Sequence, residues 1–260
     1  MSTSASFAEL VEIMARLRRP GGCPWDREQT HQSIKPYLIE EAYEVLEAID
    51  AQDDTELCTE LGDLLLQVVF HAEMASERGA FGIDDVVRAI CEKLIRRHPH
   101  VFADVQVKDA EEVLQNWARI KAAERQHRAD SSALAGVPRG MPALLRAQRL
   151  GEKAGRVGFD WERVDDVLAK IQEELDELRA ACQLGDKQAA EAELGDLIYA
   201  ATNLARHLGF SAEDALTKTS DRFTQRFRYI EERLRAAGKD IKHTPLSEQE
   251  ALWQEAKTRA

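Results

Sequence analysis

At 260 residues the chain is long enough for one large domain or two of ordinary size. A composition of 44% hydrophobic and 32% charged residues excludes a disordered chain, and a formal charge of −12 disfavours nucleic acid polymers, whose binding depends on neutralising phosphates. Cys23, Cys58, Cys91 and Cys182 form no CxxC pair, no apolar run approaches the ~20 residues of a membrane span, and no signal peptide is visible; reduced thiols, no membrane partner and a cytoplasmic location are expected.

Leu, Ala, Glu, Gln and Arg dominate, and these are helix formers. The apolar spacing predicts helices near 6–18, 36–51, 54–77, 83–97 and 109–126, then near 141–154, 164–183, 186–208, 212–236 and 247–258. Asp84, Ser211 and Ser247 stand near three helix starts as capping residues, and Pro20, Pro24, Pro36, Pro138 and Pro142 lie at or before others. The expected fold is therefore all-α.

The chain also contains itself twice. Glu41, Glu44, Glu60 and Asp63 lie in the strings EEAYEVLEA and ELGDLLLQ, and Glu174, Glu177, Glu193 and Asp196 lie in EELDELRA and ELGDLIYA, each displaced by 133 positions. Trp25 and Asp26 precede the first acidic helix as Asp160 and Trp161 precede the second. Trp117 and Lys121 match Trp253 and Lys257, and Phe81 and Asp85 match Phe210 and Asp214. Two tandem copies of one helical-bundle domain are expected, at 1–127 and 138–260, joined by a polar linker over 128–137.

A Glu-x2-Glu pair on a helix is usually a solvated face. Here Glu41 and Glu44 share one face that borders the apolar arc of Ile39, Ala42, Val45, Leu46 and Ile49. LGDLLLQVVFHAEMA is apolar almost all the way round, which predicts a buried helix with Glu60, Asp63, Gln67 and His71 as its polar stripe. The second copy's stripe is Glu193, Asp196, Asn203 and His207. Two helices joined by a short loop pack antiparallel, so the acidic stripes face each other. Two carboxylates ~4 Å apart repel by roughly 4 kcal/mol at an effective dielectric of 20, and a divalent cation is the natural resolution. An all-oxygen donor set suits Mg²⁺ or Mn²⁺.

A metal–phosphate site also wants cations. Lys218, Arg222 and Arg226 recur every four residues, a basic stripe on one helix face whose first-copy counterparts are Ala89, Lys93 and Arg97. Lys121 and Lys257 are further candidates. Trp25, Trp117, Trp161 and Trp253 are candidates to stack on a base, although such residues more often anchor a core. His98 and His100 have no counterpart in the second copy and read as structural.

With GCPWD at 22–26, RRHPHVF at 96–102 and the final WQEAK, these motifs resemble the MazG nucleoside triphosphate pyrophosphohydrolases over nearly the whole chain. The resemblance implies an all-α bundle of the type shared with all-α dUTPases, usually a homodimer, that hydrolyses nucleoside triphosphates, ATP among them, to the monophosphate and pyrophosphate. Carried over by motif, Mg²⁺ ligands are Glu174, Glu177, Glu193 and Asp196 in copy two, which also form the catalytic set, and Glu41, Glu44, Glu60 and Asp63 in copy one. Lys121, Glu173, Lys218, Arg222, Arg226, Trp253 and Lys257 are the candidates to contact substrate, with Glu173 also a weak candidate to take the proton of the attacking water. The departure is Ala89 where copy two has Lys218, which favours domain two as the better catalyst. A nucleotide-sensing module without catalysis, and a hydrolase narrowed to dUTP or one damaged nucleotide, are the competing readings.

Overall fold

The computed structural model describes residues 5–125 and 132–259, and every regular element among them is a helix. The chain divides into two compact units, Met1–Ile120 and Lys121–Ala260. The expected linker at 128–137 lies in part outside the described residues.

The first unit runs α1 (Phe7–Arg18), α2 (Pro24–Glu28), α3 (Lys35–Ala51), α4 (Asp54–Glu77), α5 (Ile83–Arg97) and the single turn α6 (Pro99–Phe102), and α7 (Ala110–Arg125) continues past its boundary. Two short helices, α2 and α6, escape the periodicity because each is about one turn long; each begins on a proline, Pro24 and Pro99, whose fixed φ suits the first helical position. The α3–α4 hairpin turns in two residues. Gln52 takes a left-handed conformation with φ 55°, and Asp53 accepts hydrogen bonds from the amides of Thr55 and Glu56, which caps α4.

Met14 of α1, Ile34, and Val69, Phe70 and Met74 of α4 form the core of this unit, with Leu10, Leu17 and Leu66 packed against it. Arg18 lies 5.3 Å from the Phe70 ring centroid and pairs with Glu77. The expectation that α4 is buried throughout holds for its C-terminal half. Leu61 and Leu65 in the N-terminal half, and Val68 just past the middle, are exposed, as are Ile39, Leu46 and Ile49 of α3.

The second unit repeats the plan with α8 (Ala143–Gly155), α9 (Val164–Leu184), α10 (Lys187–His207), α11 (Ala212–Ala236), a 3-10 turn at Ile241–His243 and α12 (Leu246–Lys257). The α9–α10 hairpin reuses the device of the first, 133 positions on. Gly185 supplies φ 71°, and Asp186 caps α10 by accepting from the amides of Gln188 and Ala189. Ser211 caps α11 as expected, whereas α12 begins one residue ahead of Ser247, after Pro245. Val167, Ala181, Ala200, Ala205, Ile230, Leu234 and Ala256 are buried. Gly151 lets α8 approach α10 closely, because a Cβ there would collide with the Asn203 side-chain oxygen. No described helix is long and apolar enough to cross a membrane.

Candidate active site

The short hairpin turns hold the acidic helices side by side, and the register brings carboxylates from both into contact. In the first unit carboxylate oxygens of Glu41, Glu44 and Glu60 all lie within 4.8 Å of one another; in the second the same is true of Glu174, Glu177 and Glu193. Asp63 and Asp196 stand about one turn further along their helices and fall outside these closest trios.

Each trio has a buried member. Glu60 is 9% exposed and Glu174 5% exposed. Among the described residues no hydrogen bond or ion pair reaches Glu60. Its carboxyl is held above the ordinary range by burial, then by the charge of Glu44. Glu41 is raised for the same first reason, against a hydrogen bond donated by the Gln67 amide at 3.2 Å. Glu193 is raised by burial, followed by Glu177, Glu174 and Asp196. Converging carboxylates that repel one another, with only oxygen to offer, fit a hard divalent cation.

The two clusters differ in their cations. Lys170 reaches Glu173 at 2.7 Å and Glu174 at 2.8 Å, and these two partners hold its ammonium well above the ordinary lysine range. Its counterpart 133 positions earlier is Tyr37, which packs edge-on against Trp25. Sequence reasoning missed Lys170, although its spacing of four from Glu174 was a usable signal. Glu173 is exposed and engaged by that lysine.

The remaining candidates lie elsewhere. Arg222 and Arg226 line a cavity of about 200 Å³ with Gln225, Tyr229, Ala256 and Arg259. Arg226 also lies 5.7 Å from the Trp253 ring centroid, and its Nε is buried without a hydrogen-bond partner among the described residues. Trp253 packs against Phe223. Lys218 and Lys257 are exposed on α11 and α12, and Lys121 lies on α7. Among the described residues no hydrogen bond or ion pair joins Lys218, Arg222, Arg226 or Lys257 to the second carboxylate cluster. Trp117 packs edge-on against His98, which agrees with a structural role for that histidine.

Beyond the acidic stripe of α10, Arg206 forms a two-pronged ion pair with Asp160 at 2.7 and 2.6 Å, joined by His207 at 3.0 Å. Arg206 holds the Asp160 carboxyl down from 3.8 to about 2. A depressed carboxylate stabilises the fold above its unfolded pKa and stops doing so as pH falls through the folded one. This pair accordingly contributes about 2 kcal/mol at neutral pH that is lost between about pH 4 and pH 2. Asp160→Asn should lower the denaturation midpoint of the second unit at pH 7 and flatten its acid dependence below pH ~4; equal acid sensitivity in the variant counts against the pair.

Two all-α units, each presenting a convergent carboxylate cluster across a tight helical hairpin, define a protein of the metal-assisted phosphate-handling class. Comparison with known proteins makes this specific. Residues 29–102 match the MazG nucleotide pyrophosphohydrolase domain, and residues 148–223 match the phosphoribosyl-ATP pyrophosphohydrolase family. The chain is 48% identical to the nucleoside triphosphate pyrophosphohydrolase of Escherichia coli (strain K12) over 95% of both chains. It is 47% identical to the nucleoside triphosphate pyrophosphohydrolase/pyrophosphatase MazG of Thermotoga maritima, over 96% of this chain and 95% of that one. The uncharacterized protein YabN of Bacillus subtilis is 47% identical over 96% of this chain and 51% of its own length. The chain belongs to the MazG family of nucleoside triphosphate pyrophosphohydrolases.

Proposed function

We propose that this chain hydrolyses nucleoside triphosphates to the monophosphate and pyrophosphate by attack of water at the α-phosphorus, chiefly in its second unit. The observation that carries the reading is the trio Glu174, Glu177 and Glu193, intact and convergent in a chain alike end to end to proteins named for this reaction. Both matching family models describe pyrophosphohydrolases, which agrees with cleavage between the α- and β-phosphates.

Glu174, Glu177, Glu193 and Asp196 would hold Mg²⁺, with Mn²⁺ as a substitute, and the cation supplies charge neutralisation of the triphosphate and acidification of water. The chain's own residues do the rest. Buried Glu174 and the helix pair fix the donor geometry. Lys170, now engaged by Glu173 and Glu174, is free to turn to a phosphate oxygen once the carboxylates are neutralised. Release of Lys170 also frees Glu173 as a proton acceptor beside the site. Lys218, Arg222, Arg226 and Lys257 bind the leaving phosphates, with Trp253 beside Arg226. The first unit keeps its quartet, Glu41, Glu44, Glu60 and Asp63, as a second cation site but lacks counterparts of Lys170 and Lys218. Its role in catalysis is therefore the lesser one.

The protein is proposed to work as a homodimer. Leu168, Leu194 and Ile198 on the acidic hairpin of the second unit, and Ile39, Leu46, Leu61 and Leu65 on that of the first, are about half exposed. Large apolar side chains clustered in this way mark an association surface.

The purified chain, incubated with Mg²⁺ and a panel of ribo- and deoxynucleoside triphosphates and resolved by anion exchange, should yield monophosphate and pyrophosphate, abolished by EDTA. Diphosphate plus orthophosphate would place the attack elsewhere, and no turnover by folded protein would favour a sensing module.

A further inference from the structure

We infer that the groove over the turn end of the α3–α4 hairpin, in the first unit, binds an aliphatic polyamine cation. One ammonium sits at the trio Glu41, Glu44 and Glu60, and a second reaches Glu47 and Glu56 at the mouth. The inference rests on the cation site left to the first unit above and names the class of cation. It does not depend on how the second unit cleaves its substrate.

The groove has a volume of about 300 Å³. Carboxylates of Glu44, Glu47, Asp53, Glu56 and Glu60 line it, over a floor of Ala48 and Ala51. Glu60 is the member that calls for a ligand. It is 9% exposed, lines the groove, and has no hydrogen bond or ion pair among the described residues. Burial, then the charges of Glu44 and Glu56, hold its carboxyl above the ordinary range. A buried anion whose charged neighbours are all anions is costly until a cation joins it.

The second unit shows that the hairpin accepts an ammonium on an alkyl stem. There the Lys170 ammonium lies 2.8 Å from Glu174, the counterpart of Glu41. The first unit has Tyr37 in place of that lysine. Among the described residues no lysine or arginine is paired with its trio. The place that a tethered ammonium fills in one unit is thus left to a free one in the other.

The mouth decides between a point charge and a chain of charges. Glu47 stands about one turn beyond Glu44 on α3, and Glu56 about one turn before Glu60 on α4. The residues 133 positions on are both alanine, Ala180 and Ala189, and Leu184 replaces Ala51. The mouth is therefore acidic on both helices, with a small-residue floor, in the first unit only. Asp53 is occupied in capping α4, which leaves Glu47 and Glu56 as the outer contacts. Among the described residues Glu47, Asp53 and Glu56 belong to no group of three ligand atoms within 4.8 Å. Charge spread more widely than one ion's ligand shell suits a cation whose amino groups are a few methylenes apart, with its stem on Ala48 and Ala51.

The test is calorimetric titration of the full chain, without metal and at low ionic strength, with spermidine and with butylamine, which has a single ammonium. One spermidine should bind per chain, about tenfold more tightly than butylamine. Glu47→Ala with Glu56→Ala installs the residues of the second unit at two exposed positions. It should weaken spermidine about tenfold and leave butylamine unchanged. Glu47→Gln with Glu56→Gln, which keeps the side chains, should do the same. Tyr37→Lys, which supplies a tethered ammonium, should weaken both amines. No binding of spermidine, binding no tighter than that of butylamine, or binding unaffected by loss of Glu47 and Glu56 overturns the inference. Turnover of nucleoside triphosphates by the same preparations is read separately, so failure of the hydrolase reading shows by itself.

Discussion

Glu193→Gln combined with Asp196→Asn is expected to lower kcat by about a thousandfold or more while the helices persist, read by circular dichroism and steady-state kinetics. Both changes keep side-chain size and remove charge. Glu193 already sits among Glu177, Glu174 and Asp196, whose charges raise its pKa. Neutralising it relieves repulsion in the metal-free fold, so loss of activity without loss of structure separates a ligand from a structural residue. The matching pair in the first unit, Glu60→Gln with Asp63→Asn, should cost only a few-fold. Glu60 and Glu193 occupy equivalent places, but only the second site has Lys170 beside it and Lys218 on its basic helix. Full turnover in the second-unit variant sinks the assignment, and equal losses in the two units refute the ranking.

The second large effect is expected from Arg222→Ala with Arg226→Ala, about a hundredfold in kcat/KM, close to what one fixed donor to a developing charge contributes elsewhere. Among the described residues the Nε of Arg226 is buried without a partner, and its guanidinium lies over Trp253 in a cavity shared with Tyr229 and Arg259. Such a group is costly to leave unsatisfied, which argues for an anionic guest there. The first-unit pair, Lys93→Ala with Arg97→Ala, should lower kcat/KM far less. A loss below about threefold in the second unit would show that the phosphates are held by other groups.

Much of this was legible in the sequence because it rests on local patterns. The helices follow from apolar period, and the duplication follows from ordered strings 133 positions apart. Facing acidic stripes follow from two-residue hairpins, realised at Gln52–Asp53 and Gly185–Asp186. What stayed hidden depends on distance in space. Arg206 and Asp160 are 46 residues apart, and nothing in periodicity joins them. Lys170 was overlooked because a lysine four residues before a glutamate is ordinary on any helix. The apolar run of α4 predicted burial but could not say that Leu61 and Leu65 would stay exposed.

The most direct test of the reaction is hydrolysis of ATP with Mg²⁺ in ¹⁸O-labelled water, with both products analysed by mass spectrometry. Attack at the α-phosphorus puts the label in the monophosphate and none in the pyrophosphate. Label in the pyrophosphate would place the attack at the β-phosphorus and contradict the mechanism drawn from these carboxylates.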